Sequence, residues 1–243
     1  MIDYCTIIVD KRECDLLPLH LNSLKRFMPG NWFNFKISVP PDDQIIEYCK
    51  QFPVDVLPQP TYVQANPSQG VRQAGFDCAS RLDQLMREST SKWVVLAHLD
   101  IVYTGPMMQI MRTLMTDEVG MIGIWPHGCV LINREVYNNC HYGFWPITGL
   151  RALKLDDDYV RLYGPFVGEH KLFGVVGVDV GDLLKMEMHC YGYKCVMGPE
   201  GFYHHIGGQS YRSIYGRPEE HAAEQKVEED KQRAMKIFAE FKW

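Results

Sequence analysis

Two hydrophobic patterns alternate along the first hundred residues. Short apolar runs typical of buried strands lie at 4–9, 35–39, 54–57 and around Trp93. Between them, apolar residues recur at helical spacing, first at Leu17, Leu21 and Leu24, then around 45–48 after the capping pair Asp42–Asp43, then over 71–85. Strand–helix alternation of this kind predicts an α/β fold with a mostly parallel, doubly wound sheet and right-handed crossovers.

The second half of the chain is less regular. Its pattern predicts a helix at 107–115, strands at 119–124 and 129–132, a helix at 179–191 and a short strand at 202–206. Residues 137–177 are rich in Gly, Pro and aromatic residues, and the chain from 219 onward is charged and helical in pattern. Because no repeat or low-complexity linker interrupts the chain, we expect one domain over 1–243, with divisions near 105 and 215.

Composition excludes several classes of protein. The formal net charge of −5 argues against a dedicated nucleic-acid binder, which is usually basic. No apolar run is long enough to span a bilayer, and the first residues have no signal-peptide pattern. The eight cysteines form no CxxC pair, so we expect reduced core residues rather than disulfides or a zinc site. A soluble, cytoplasmic protein is therefore the expectation.

The run from Trp93 ends in His98-Leu99-Asp100, which places two polar side chains after a buried strand. If the extended conformation continues, His98 and Asp100 project from the same face, because strand side chains alternate with period two. In open α/β sheets, ligands bind beyond the carboxyl ends of the strands. A nitrogen and an oxygen donor there suit a divalent metal; the alternative is a strand end that turns polar at the solvent.

A second polar cluster, Tyr203-His204-His205-Ile206-Gly207-Gly208, follows the last predicted strand. Alternation allows only one of His204 and His205 to face a given site. The two glycines would let the backbone pass close to a ligand. The alternative is a pair of surface polar residues.

The order of these motifs resembles the GT-A glycosyltransferases, particularly those similar to family 2. Where that family has Asp-x-Asp after a hydrophobic strand, this chain has His98-Leu99-Asp100. Where the family has an acidic pair opening an acceptor-side helix, this chain has Val178-Asp179, and His205-Ile206-Gly207-Gly208 matches a downstream histidine motif. The resemblance implies a GT-A, Rossmann-like fold with a nucleotide-binding half (1–105), a smaller irregular acceptor-side half (106–215) and a charged C-terminal helix (216–243).

The same resemblance implies transfer of a sugar from a nucleotide-diphosphate donor, most simply a UDP-sugar, to a glycan or other hydroxyl acceptor. Asp100 and His205 would bind the metal, with His204 as the competitor of His205. His98 would bind the metal or contact the nucleotide, and these two roles stay open. Histidine ligands favour Mn²⁺ over Mg²⁺, because imidazole suits transition metals.

Asp179 is the candidate catalytic base, since an inverting transferase needs a group that takes the proton of the attacking hydroxyl. It could also cap the helix that follows, or orient the sugar if the enzyme is retaining. The acidic run 156–158 contains rival acids, for which a solvated loop is the simpler interpretation.

The family pattern places nucleotide contacts at Asp10, Asp55 and Arg72. Arg72 lies at the glycine-opened start of a helix, where anions are attracted, but it could equally be an exposed helix arginine. Two other functions stay open. One is a metal-dependent hydrolase that uses the same His/Asp cluster, and the other is a nucleotide- or sugar-binding module without efficient catalysis. The oligomeric state is not predicted.

Overall fold

The computed structural model describes residues 1–59, 73–124, 128–141, 143–144, 171–172, 175–176, 181–199, 201–206, 229 and 232. Its eleven described strands are β1 (Ile2–Ile7), β2 (Phe33–Val39), β3 (Asp55–Pro58), β4 (Trp93–Ala97), β5 (Ile101–Tyr103), β6 (Val119–Ile124), β7 (Cys129–Asn133), β8 (Lys171–Leu172), β9 (Val175–Val176), β10 (Lys194–Met197) and β11 (Tyr203–His205). The described α-helices are α1 (Leu16–Phe27), α2 (Asp43–Cys49), α3 (Gln73–Glu88), α4 (Met107–Thr113), α5 (Arg134–Asn139) and α6 (Asp182–Cys190).

The central sheet has seven strands in the order β10-β6-β7-β4-β1-β2-β3. Strands β1 to β4 pair in parallel, as the strand–helix alternation predicts, and β10 pairs in parallel with β6. Only β7 among them runs against its two neighbours, β4 and β6. The predicted mostly parallel α/β sheet flanked by helices is confirmed.

Helices cover both faces of this sheet. On one face, α1, α2 and α4 bury side chains that include Leu24, Ile45 and Met107. On the other, α3, α5 and α6 bury side chains that include Leu85, Val136 and Met188. The strands between them, such as Val94-Val95-Leu96, are apolar at every position because both of their faces are covered.

Local signals explain several element ends. Asp42 caps α2, and its side chain accepts hydrogen bonds from the N–H groups of Gln44 and Ile45, as predicted. Helix α6 begins at Asp182 with Gly181 as its N-cap at φ +85°, so the idea that Asp179 caps this helix is wrong. A glycine suits that position because its φ lies in the left-handed region.

Two smaller features complete the described architecture. Strand β11 pairs antiparallel with β5 in a two-stranded ribbon, and β8 pairs antiparallel with β9. All eight cysteines are free thiols, four of them buried. None of the helices in the described ranges has the length and apolar character that a bilayer crossing requires. Of the charged stretch after residue 219, the structure describes Glu229 and Gln232, both helical.

Candidate metal centre

The first two candidate ligands lie in a turn rather than on a strand. Strand β4 ends at Ala97, Leu99 and Asp100 form a turn, and the N–H of Ile101 donates to the carbonyl of His98 at 3.3 Å. The predicted extended conformation through Asp100 is therefore wrong. The turn nevertheless leaves Nδ1 of His98 3.9 Å from Oδ1 of Asp100, so the two side chains lie together as predicted.

The third candidate ligand arrives from the far end of the chain. Because β11 pairs with β5, His205 lies opposite Ile101, the residue that follows Asp100. Nε2 of His205 is 3.2 Å from Oδ1 of Asp100. The potential ligand atoms of His98, Asp100 and His205 all lie within 4.8 Å of one another. These three residues, found among those that the structure describes, are a group that could bind a metal ion and are called the metal-type cluster below.

The electrostatics of this cluster favour a cation. The Asp100 side chain is only 9% exposed, and this burial by itself would raise the pKa of the carboxyl. The contact with His205 and the charge of His98 have the larger combined effect, so the pKa of Asp100 is lowered. The carboxylate in turn raises the pKa of His205. A buried carboxylate held between two imidazoles is a set of donors that fits a divalent transition metal.

A buried nitrogen supports that fit. Nε2 of His205 is shielded from solvent and, within the described part of the chain, makes no hydrogen bond of normal geometry despite its closeness to Asp100. Buried polar atoms in folded proteins normally have a partner, so an atom of this kind at a ligand cluster fits coordination of an ion.

The structure separates the two neighbouring histidines. His204 pairs with Val102 in the ribbon, and alternation along the strand turns it away from Asp100. It is not part of the cluster, and its Nε2 is buried without a hydrogen-bond partner among the described residues. Of the two predicted alternatives, the structure brings His205 to the cluster.

The predicted nucleotide contacts lie in different places. Asp10 follows β1 at the carboxyl edge of the sheet, where it caps a 3₁₀ turn (Lys11–Glu13) and pairs with Arg12 at 2.8 Å. Asp55 is the first residue of β3 and therefore lies at the opposite, amino edge, where it pairs with Lys36 at 3.4 Å. The structure does not bring Asp55 to the cluster. Arg72 and Asp179 lie outside the described residues, as do 156–158 and 207–212.

Sequence reasoning missed two buried charges at the carboxyl ends of β1 and β2. The side chain of Arg81 donates to the carbonyls of Ile8 and Ser38 and, at 2.9 Å, to the hydroxyl of Ser38. The position of Arg81 on the apolar face of α3 was the sequence feature that could have indicated its burial. Glu13 accepts from the N–H of Val9 at 2.6 Å, and no sequence feature marks it as buried.

The charge of Asp100 in the cluster also affects the pKa of Glu13. Burial raises its pKa to about 7, and the negative charges of Asp100 and Asp10 act in the same direction. The hydrogen bond from Val9 and the charge of Arg81 oppose this rise. The edge of the sheet that carries the metal-type cluster is therefore rich in carboxylates.

The fold is similar to those of solved structures of other proteins. A mannosyltransferase from Pyrobaculum calidifontis, PcManGT in complex with GDP-Man and Mn²⁺, matches with a TM-score of 0.54 and 11% identity, over 87% of this chain and 59% of that chain. A mycobacterial protein matches with a TM-score of 0.52 and 13% identity, over 87% of this chain and 69% of that chain. No protein-family model and no curated protein matches the sequence.

These matches concern the fold, because their sequence identities are low. The chain spans 59% of the length of the mannosyltransferase. The mostly parallel seven-stranded sheet and its flanking helices are consistent with the GT-A fold. The chain has the GT-A glycosyltransferase fold.

Proposed function

We propose that this protein is a metal-dependent glycosyltransferase that moves a sugar from a nucleotide-diphosphate donor to a hydroxyl acceptor. The observation that carries the proposal is the cluster of His98, Asp100 and His205 at the carboxyl edge of a GT-A sheet. This is the edge at which open α/β sheets bind their ligands.

The donor set suggests which cation binds and what it does. Asp100 and His205 are the proposed ligands, and His98 completes the set or contacts a ligand of the metal. Two imidazoles favour Mn²⁺ over Mg²⁺. A divalent cation held there would neutralise the negative charge that develops on the departing diphosphate.

The residues of the chain would supply binding and proton transfer. Asp10 lies at the edge that carries the cluster, which supports it as a proposed nucleotide contact. Asp55, at the opposite edge, and Arg72, outside the described residues, are also proposed contacts. Asp179, outside the described residues, remains the proposed base that takes the proton of the acceptor hydroxyl, or the acid that orients the sugar. Residues 1–105 are the proposed nucleotide-binding half, 106–215 the acceptor-side half and 216–243 a charged helix.

A UDP-sugar is the proposed donor, and the similar mannosyltransferase, which was solved with GDP-Man and Mn²⁺, makes a GDP-sugar the comparison to test. The experiment is a calorimetric titration of UDP, and separately of GDP, with Mn²⁺ and then with EDTA. Metal-dependent binding of one nucleotide, followed by turnover of its sugars, is the expected result.

The matched control is Asp100→Asn, which keeps the shape of the side chain and removes its charge. It should abolish the metal-dependent part of binding without loss of the fold. Binding without turnover of any sugar would point to a non-catalytic module. Cleavage of substrates that lack a nucleotide would point to a hydrolase.

A further inference from the structure

Helix α1 closes the outer edge of the ribbon that carries the cluster. In an antiparallel pair, every second residue turns its N–H and C=O away from the partner strand. The backbone carbonyl of Asp100 accepts from the N–H of Ile206, and the N–H of Thr104 donates to the carbonyl of Phe202, both at 2.9 Å. The backbone groups of the alternate residues Ile101 and Tyr103 therefore point away from β11. Their backbone groups need partners elsewhere, because both residues are buried.

Two side chains of α1 supply those partners. Nδ1 of His20 lies 2.7 Å from the carbonyl oxygen of Ile101, and the hydroxyl of Ser23 accepts from the N–H of Tyr103 at 3.0 Å. His20 and Ser23 are three residues apart, so they share one face of the helix. Both are fully buried. The helix thus takes the place of a further strand at this edge.

The protonation of His20 follows from its contacts. A carbonyl oxygen can only accept, so Nδ1 carries the proton, and Nε2 accepts from the hydroxyl of Tyr4 at 2.8 Å. The hydroxyl of Tyr103 lies 2.6 Å from that of Tyr4 and can donate to it. Burial lowers the pKa of His20 to about 4, which agrees with a neutral ring.

The backbone of Ile101 is connected to the backbone of each of the three candidate ligands. It follows Asp100, lies opposite His205, and donates its N–H to the carbonyl of His98. Its own carbonyl is the group that His20 holds. A shift of this one residue would therefore move all three ligand-bearing segments.

We propose that His20 is a positioning residue of the metal centre: by donating from Nδ1 to the carbonyl of Ile101, it fixes the backbone that sets Asp100 against His205. The inference rests on the proposed metal-dependent function, because it concerns the same cluster. It assigns a role to a helix residue that touches none of the candidate ligands.

The experiment compares two amide replacements of His20. The amide nitrogen of Asn falls near the place of Nδ1, so His20→Asn can still donate to Ile101. The amide group of Gln falls near Nε2, so in His20→Gln the amide oxygen can accept from the hydroxyl of Tyr4 while the carbonyl of Ile101 loses its donor. Mn²⁺ alone is titrated into each protein, and free Mn²⁺ is followed by electron paramagnetic resonance.

We expect His20→Gln to weaken Mn²⁺ binding by about 10-fold or more, as does loss of a residue that supports the metal ligands without binding the metal. The Mn²⁺ affinity of His20→Asn should stay within about threefold of that of the parent protein. Packing alone predicts the reverse order, because Asn leaves the larger cavity. Equal affinities of the two variants, or weaker binding by a folded His20→Asn, would overturn the proposal. If His20→Gln does not fold, weaker Mn²⁺ binding by a folded His20→Asn still overturns the proposal, and faster exchange at Ile206 in a folded His20→Ala, which lacks the donor, supports it.

A second readout does not depend on metal. Amide hydrogen exchange at Ile206, whose N–H is bonded to the carbonyl of Asp100, should be faster in His20→Gln than in His20→Asn. If the parent protein binds no Mn²⁺, the metal centre is wrong while the exchange experiment still tests the positioning role. Unchanged exchange in both variants would show that His20 does not hold this backbone.

Discussion

The backbone N–H of Ile206 donates to the carbonyl oxygen of Asp100 at 2.9 Å. This bond joins the end of the last described strand to the turn after the central strand β4. It places His205 beside Asp100 through main-chain contacts, which do not depend on the identity of either side chain. The main chain of the β5–β11 ribbon therefore brings these two side chains together.

The two adjacent histidines should behave differently on substitution. His205→Ala removes a proposed ligand and should weaken Mn²⁺ binding by more than the roughly 100-fold that loss of an outer partner can cost. His204→Ala is the matched control, since His204 lies outside the cluster, and it should bind Mn²⁺ as the parent protein does. Calorimetry on both variants tests this, and the opposite pattern would exchange their roles.

Gly105 should be intolerant of a side chain. A Cβ at this position would overlap the ring of Phe202, which enters the ribbon just before β11. Gly105→Ala should cost about 1–3 kcal/mol of unfolding free energy, as overpacking does, and should weaken Mn²⁺ binding by displacing β11. Urea denaturation measures the first effect.

The smaller side chain in Phe202→Leu should relieve that overlap. In a double-mutant cycle, the two substitutions together should cost less than the sum of their separate effects. Simple additivity would mean that the ring of Phe202 is not what excludes a side chain at Gly105.

Glu13 should make stability depend on pH. Its pKa rises from its usual 4.5 to about 7 in the folded protein, so between these pH values the folded state holds a proton that the unfolded state has lost. Its stabilising contribution is complete below about pH 4.5 and falls as the pH rises to about 7, by at most about 3 kcal/mol.

Glu13→Gln should remove this component, because an amide does not titrate in this range. The measurement is urea denaturation of both proteins in EDTA at pH 5 and pH 8. The parent protein should lose more stability between these pH values than Glu13→Gln does. An identical loss in both would contradict the assignment to Glu13.

Arg81 should stabilise the carboxyl edge of the sheet. Arg81→Met keeps the apolar stem and leaves the buried carbonyl of Ile8 without this donor, at a cost of about 1–3 kcal/mol. The carbonyl of Ser38 loses Arg81 but still accepts the N–H of Ile8 at 2.9 Å. Arg12→Met is the control, because Arg12 pairs with Asp10 at an exposed position and should change stability by less than about 1 kcal/mol. Equal effects in urea denaturation would contradict this.

The sequence by itself determined the elements and the class of sheet. Buried strands and amphipathic helices differ in the period of their apolar positions, and this local signal placed β1 to β4 and their helices within a few residues. The N-cap of α2 at Asp42 could be predicted because it depends on residues only a few positions away. The antiparallel β7 in the middle of the sheet had no local signal, because pairing direction depends on distant strands.

The metal-type cluster shows the same division. The residue types and their order suggested that His98, Asp100 and one later histidine act together. The strand geometry assumed for the first two was wrong, since a hydrogen bond from Ile101 closes a turn there. The choice of His205 over His204 depended on a register between β5 and β11, about a hundred residues apart, in which a shift of one residue turns each side chain to the other face.

Burial of polar groups was decided only by the tertiary structure. Nothing near Glu13 in the sequence shows that it lies inside the protein. The spacing of His20 from Leu17 and Leu24 places it on the apolar face of its helix, but the sequence does not show which groups its ring contacts. Local periodicity predicts which face of an element is apolar. The partners that satisfy a buried polar group come from distant segments, so only the folded arrangement reveals them.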